Sequence, residues 1–380
     1  MPKLILTSKA AIFDQYGNPY PHVIDALRQS NDNGSRTIVL SNLPRPRSWN
    51  DHGFLQFRQC GFAPSRAKGK IVDQILAENK ESGLRHSDII VLGAKDRDFF
   101  MAVNSKSLLI RCKWAAPLQS RIDKYGVPFA SPKTIPMVLR LLEDSSPWYF
   151  VHKGQFLDVY AQTNAGTKFE TDAKMIRLVE SLRNRLKSGA AHLAKGFMLH
   201  FLSSVYSTEP LNNVDLWSFY PASDSSNSEQ EVMASFCREA RVTFRQRSRG
   251  PLFIRHKPSP KRHMGSSDRT DPTSQVTTIH LNPEYRSRLD GKTVAVLDDY
   301  LTYGVSFGVA AAFLKAAGAA RVIGVALGKF GSCANCYDIT IDDDPFSPVK
   351  NCTNNGYIHM DGQIDPDAQS SFLDKFLPFV

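Results

Sequence analysis

The feature that most limits how this chain can fold is TVAVLDDYLTYGVSFG, residues 293–308. An apolar run of strand character stops at two adjacent aspartates, Asp298 and Asp299. A loop of small and hydroxylated residues follows, and the pattern turns helical through SFGVAAAFLKAAG. A short continuous apolar run that feeds directly into a helix is the sequence form of a strand buried on both faces in a parallel sheet. Gly304 permits a positive φ and lets the backbone approach a ligand closely. The amides of 304–306 then open at a helix start, where the dipole favours an anion. In open α/β sheets ligands sit beyond the carboxyl ends of the strands, which is where the two acids fall. The hydroxyls of Thr302 and Ser306 add donors for phosphate oxygens. Two carboxylates repel a phosphate placed against them. They fit a ligand whose sugar hydroxyls face the acids while its phosphate enters the loop, with a cation nearby.

The same alternation of strand and helix signals predicts an α/β protein of two domains, each a mainly parallel sheet flanked by helices. Residues 1–145 supply strands at KLIL, RTIVLSN, SDIIVLG and KSLLIRCKW, with helices at PHVIDALRQ, KIVDQILAENKESG and TIPMVLRLLED. The Pro and Ser of SSPWYF, 145–150, mark a boundary. Residues 146–206 read as a helical linker or hood, built on DAKMIRLVESLRNRLKSG and AAHLAKGFMLHFLSSVYS. Residues 207–380 return to strand and helix, through LWSFYP, SEQEVMASFCREAR, PLFIR, VTTIHLN, the 293–317 unit and ARVIGVALGKF.

Composition narrows the function classes. A length of 380 residues suits two domains, each able to bury a core. No run of 18 apolar residues occurs, so a membrane span is not expected, and the N-terminus reads as a first strand rather than a signal peptide. Six cysteines make no disulfide framework and point to the reducing cytoplasm. The net charge of +10 favours anionic partners such as nucleotides, pyrophosphate or RNA.

The arrangement V-L-D-D-x-L-T-x-G-x-S at 296–306 closely resembles the phosphoribosyl-pyrophosphate (PRPP) motif of type I phosphoribosyltransferases. The resemblance implies that Thr302, Tyr303, Gly304, Val305 and Ser306 hold the 5′-phosphate, and that Asp298 and Asp299 take the ribose hydroxyls. One departure is Tyr303, where many members carry a second Thr. FYPASDSSNSE, 219–229, lies where the family holds pyrophosphate on backbone amides, with Ala222, Ser223 and Ser225 as candidates. Ser226 and Glu229 have the spacing of a capping box. From Arg245 to Arg269 the chain carries eight Lys/Arg and one acid, Asp268. A run of this kind cannot enter a core unpaired. It resembles the loop that type I enzymes fold over pyrophosphate, with Lys261, Arg262, His263 and Arg269 as candidates. The implied activity is Mg²⁺-dependent transfer of ribose 5-phosphate from PRPP to an unidentified nitrogenous acceptor. A homo-oligomer is expected. The alternative is a non-catalytic regulator that senses PRPP or a nucleotide, or binds RNA or a protein.

Residues 1–145 resemble a haloacid-dehalogenase (HAD) domain. LILTSKAAIFDQYGNPY lies where that family has an apolar strand and D-x-D-G-T, which sets Thr7 and Lys9 in place of the two acids. Ser41 falls at the second motif's hydroxyl, Lys68 or Lys70 at the third motif's lysine, and GAKDRD, 93–98, at G-D-x-x-x-D with Ala94 for the first acid and Asp98 for the second. A HAD phosphatase needs its first carboxylate to attack phosphorus and its acids to bind Mg²⁺. The expectation is a catalytically inactive HAD-like domain. A second alignment on FDQYG, 13–17, keeps Asp14 as a nucleophile for residual phosphatase activity but loses the second acid to Tyr16. Fusions of this kind resemble proteins of bacterial stress and defence gene clusters.

Near the end, Cys333-x₂-Cys336, Cys352 and His359 supply the donor types of a tetrahedral Zn²⁺ site. The other reading is unconnected thiols after a strand.

Overall fold

The computed structural model describes residues 3–45, 52–60, 64–143, 148–167, 172–188, 193–223, 228–244, 246, 250–259 and 270–368. The chain forms two compact units. The first comprises Met1–Ser145 with Phe197–Thr208 and Val242–Arg245, and the second comprises Ser146–Gly196, Glu209–Arg241 and Gln246–Val380.

The first unit is a six-stranded parallel sheet. Its strands are β1 (Leu4–Ser8), β2 (Arg36–Ser41), β3 (Gln56–Gln59), β4 (Ile89–Gly93), β5 (Leu108–Cys112) and β6 (Val127–Phe129), in the order β3-β2-β1-β4-β5-β6. Every pairing is parallel. β1 and β4 lie centrally and are buried along their whole length, which is why LIL and IIVLG read as short apolar runs. The order reverses at β1, so loops after β1 and β4 diverge over a crevice at the carboxyl edge.

The second unit holds a mixed sheet and two antiparallel ribbons. Its strands are β7 (Phe150–His152), β8 (Leu157–Asn164), β9 (Leu216–Phe219), β10 (Phe253–Arg255), β11 (Ile279–Leu281), β12 (Thr293–Leu301), β13 (Arg321–Lys329), β14 (Asn335–Ile341), β15 (Cys352–His359) and β16 (Gly362–Ile364). The sheet order is β16-β7-β8-β13-β12-β9, with β10-β11 and β14-β15 as separate ribbons. The four strands β8, β13, β12 and β9 run parallel, while β7 and β16 are antiparallel additions. Val294 and Val296 of β12 pack into one core with Val309, Phe313 and Phe307 of the helix Val305–Ala316.

Residues 146–206 differ from the helical hood expected of them. The helices Ala173–Ser188 and Leu193–Ser207 are present, but β7 and β8 precede them, and β8 is an interior strand of the sheet. The physical reason is the polar alternate face of LDVYAQTN. Asp158 is 0 % exposed, and its charge is met by Arg321 at 2.8 Å and by Lys153 at 3.4 Å. No helix among the described residues is long and apolar enough to cross a membrane.

Candidate functional site

β12 sits between β9 and β13, buried from Val294 to Leu297. Asp298 and Asp299 are the first residues after that buried run to open toward solvent, and the strand then runs on to Leu301. The Asp299 amide donates to Asp298 Oδ1 at 3.0 Å, and the Tyr300 amide donates to Asp299 Oδ1 at 2.7 Å. Residues 302–304 bend into the helix Val305–Ala316. Gly304 is its N-cap, at φ 81°. An added Cβ there would lie 2.5 Å from the Asn335 carbonyl oxygen, so the bend and the approach of β14 both demand glycine. Thr302 and Tyr303 are exposed, with Tyr303 at 39 %, while Gly304 and Val305 are buried.

Two adjoining pockets meet at the acids. One, of ≈ 260 Å³, is lined by Gln275, Asp298 and residues 300–307. The other, of ≈ 320 Å³, is lined by Tyr220, Pro221, Ala222, Ser223, Met233, Arg255, Ser259, Gln275, Asp298, Asp299, Tyr300, Thr302, Ser306 and Phe330. Gln275, Asp298, Tyr300, Thr302 and Ser306 belong to both, so the two form one cleft. The structure therefore brings Asp298, Asp299, Thr302, Tyr303, Gly304, Val305, Ser306, Ala222 and Ser223 to a single opening. Ser225, Lys261, Arg262, His263 and Arg269 lie outside the described residues.

Burial in the cleft, followed by the neighbouring Asp299 charge, holds the Asp298 carboxyl well above the usual carboxylate range. A hydrogen bond from the Ser306 hydroxyl opposes this. The oxygen donors of Asp298, Asp299 and Thr302 are of the kind a hard divalent cation takes.

Arg255 and Gln275 join the site without having been legible beforehand. Arg255 ends β10, and its Nε donates to the Ala222 carbonyl at 2.5 Å, its guanidinium to the Pro221 carbonyl at 3.2 Å and to Thr278 Oγ1 at 2.7 Å. It thereby ties the β10–β11 ribbon to the turn after β9. Gln275 accepts from the Tyr220 hydroxyl. The available signal was Arg255's place at the end of PLFIR, inside the basic stretch.

The carboxyl edge of the first unit is arranged differently. Asp98, 0 % exposed, accepts from the Ser8 hydroxyl at 2.8 Å and from the Ala94 and Lys95 amides at 3.0 Å each. Its other oxygen is ion-paired with Arg66. Burial pulls the Arg66 pKa down to about 10. The cation that meets Asp98 is therefore Arg66. Lys68 and Lys70, expected in that role, are both exposed, whereas Arg66 is buried. Thr7 is buried and donates to the Leu92 carbonyl at 3.0 Å, whereas Lys9 is exposed. Ser41 ends β2 and accepts from the Leu43 amide at 3.0 Å. Asp14 caps its own turn, accepting from the Tyr16 and Asn18 amides at 2.9 Å each.

The zinc set does not assemble. The β14–β15 register pairs Cys336 with Ile358 but Cys352 with Ile341, which puts the two thiols at opposite ends of the ribbon. Cys333 is exposed, Cys336 lies 3.4 Å from His152 Nε2, and His359 Nδ1 lies 2.8 Å from Asn335 Oδ1. Among the described residues no group of three or more His, Cys, Asp or Glu is placed to hold a metal ion.

No protein-family model matches the chain, and no curated protein matches it. Solved structures do. The chain is similar to the cobalt-bound deoxy-D-mannose-octulosonate 8-phosphate phosphatase of Haemophilus influenzae, at 15 % identity and a TM-score of 0.22, over 29 % of this chain and 69 % of that one. It is also similar to the 3-deoxy-D-manno-octulosonate 8-phosphate phosphatase of Moraxella catarrhalis, solved with magnesium, phosphate and KDO. There the identity is 11 % and the TM-score 0.26, over 37 % of this chain and 84 % of that one.

Proposed function

We propose that the second unit binds PRPP with Mg²⁺ and transfers its ribose 5-phosphate to a nitrogenous acceptor, releasing pyrophosphate. The observation that carries this reading is the convergence of the acid pair, the Gly304 bend and the 222–223 turn on one cleft. The first-turn amides of the helix, with the Thr302 and Ser306 hydroxyls, take the 5′-phosphate. Asp298 and Asp299 take the ribose hydroxyls, their carboxylate oxygens accepting from them. Ala222 and Ser223, on a turn steadied by Arg255, face the pyrophosphate. The bond from ribose C1 to the pyrophosphate oxygen breaks as the bond from C1 to the acceptor nitrogen forms, the electron pair leaves on pyrophosphate, and the proton shed by the acceptor nitrogen is taken up by the released pyrophosphate. Mg²⁺, when bound, supplies neutralisation of that leaving charge. The chain's part is positioning and electrostatics.

The first unit, in this reading, does no phosphatase chemistry. Both Asp98 oxygens are already engaged, one by the Arg66 cation and the other by Ser8 and two amides. Its role is scaffolding, ligand sensing or partner binding.

Calorimetry with PRPP and Mg²⁺, joined to a pyrophosphate-release assay, tests the first claim. The wild type is expected to bind, and Asp298→Asn with Asp299→Asn to lose binding while staying folded. Wild-type protein that does not bind PRPP removes the reading. Binding with no turnover across nucleobases, nucleotides and RNA leaves a regulator. Hydrolysis of p-nitrophenyl phosphate that survives in the double mutant and falls in Asp14→Asn returns phosphatase activity to the first unit.

A further inference from the structure

The carboxyl end of the second sheet holds a charge that the mechanism above does not use. Lys329, the last residue of β13, is 0 % exposed. Its neighbours in register are Leu301 on β12 and Asn164 on β8, neither of which titrates. From β7, the Phe150 ring lies with its centre 4.9 Å from Nζ. The ammonium donates to the Cys333 carbonyl at 2.9 Å and to the Phe330 carbonyl at 3.4 Å. Burial pulls its pKa down to about 8, and Cys333, the titratable group acting on it, opposes the shift.

An ammonium withdrawn from water is costly unless its protons are engaged. Here its partners are carbonyls at the two ends of one short turn, 330–333, so the cation clamps that turn shut. The turn reaches the cleft in both directions. The Phe330 ring packs on Tyr300 with centres 5.0 Å apart, and both rings line the cleft. The Phe330 amide donates to the Leu301 carbonyl at 2.8 Å, and the Asn335 amide donates to the Tyr303 carbonyl at 3.1 Å. Asn335 is also the residue against which Gly304 is fitted.

We propose that Lys329 is a positioning residue of the cleft, whose ammonium sets the 330–335 turn and, through it, the Tyr300–Phe330 wall and the Tyr303–Gly304 bend. The inference rests on the PRPP reading only for the ligand used to probe it. The prediction for the turn itself needs no ligand. As pH rises through about 8 the ammonium loses its charge, and the clamp loosens.

Two measurements on the full chain test this, with Lys329→Met and Lys329→Arg. In hydrogen exchange corrected for intrinsic rates, the Asn335 amide is expected to exchange about tenfold faster in Lys329→Met than in wild type. Wild type is expected to show a smaller rise in the same direction between about pH 7 and pH 9, since the neutral amine loses its charge but keeps two donors, and Lys329→Met no such step. Should the Met variant fail to fold, the wild-type pH series and Lys329→Arg decide. Protection that is unchanged in Lys329→Met, or a wild type without the pH step, overturns the proposal. In calorimetry with PRPP and Mg²⁺, the Met variant is expected to bind about tenfold more weakly, and the Arg variant within about threefold of wild type. Equal binding by wild type and Lys329→Met overturns the positioning role and leaves the PRPP reading standing. A wild type that ignores PRPP removes that reading, and the exchange data then decide the role of Lys329 alone.

Discussion

Gly304→Ala is the substitution that most directly tests the cleft's construction. Two costs can be read from the structure. Alanine at φ 81° enters the left-handed region, which costs an L-residue about 1–2 kcal/mol. Its Cβ would also stand 2.5 Å from the Asn335 carbonyl oxygen. Ordinary contact begins near 3.4 Å, so 3.4 − 2.5 = 0.9 Å of retreat is required from backbone on one side. That retreat breaks the bond from the Asn335 amide to the Tyr303 carbonyl, worth about 0.5–1.5 kcal/mol. The sum is a destabilisation of about 1.5–3.5 kcal/mol. Gly304→Asn separates the two costs, because asparagine tolerates positive φ yet carries the same Cβ. It is expected to recover about half of the loss. Urea unfolding followed by the fluorescence of Trp217, buried on β9 in the same unit, measures both variants. Calorimetry with PRPP and Mg²⁺ is expected to show affinity at least about tenfold lower in Gly304→Ala, since the first-turn amides move with the bend. An alanine variant within about 0.5 kcal/mol of wild type, with undiminished affinity, would refute the reasoning.

Asp298→Asn is expected to stabilise the fold at pH 7 while abolishing PRPP binding, because it removes a charge that burial and the Asp299 carboxylate disfavour. Since the folded-state pKa is raised, wild type gains stability as pH falls through that pKa toward 3.8, and the gap between the two proteins should close over the same range in acid-to-neutral urea titrations. Arg66→Met leaves Asp98 buried without its cation and is expected to cost the first unit about 3–5 kcal/mol in chemical denaturation, with part of the loss recovered by adding Asp98→Asn. Arg255→Ala removes the tether on the Pro221 and Ala222 carbonyls, and calorimetry is expected to show PRPP binding about tenfold weaker with little change in melting temperature.

What could be read in the linear chain was whatever short-range chemistry decides. β1, β4 and β12 announce themselves because their buried stretches LIL, IIVL and VAVL are continuous apolar runs. The acid pair, the Gly304 bend and the helix after it are consecutive, so their juxtaposition is settled within a dozen residues. Tertiary structure decided whatever depends on a distant partner. β8 was hidden because Asp158 and Gln162 look like surface residues, and the group that makes Asp158 tolerable in the core, Arg321, is 163 positions away. Arg66, rather than Lys68 or Lys70, meets Asp98 because the fold buries Arg66 and leaves both lysines exposed, which residue type alone does not distinguish. The cysteines supplied zinc-like spacing, but strand register set Cys336 and Cys352 at opposite ends of one ribbon. Arg255 owes its place to carbonyls on another segment and Lys329 to carbonyls of the turn that follows it, and a backbone carbonyl leaves no mark in the sequence.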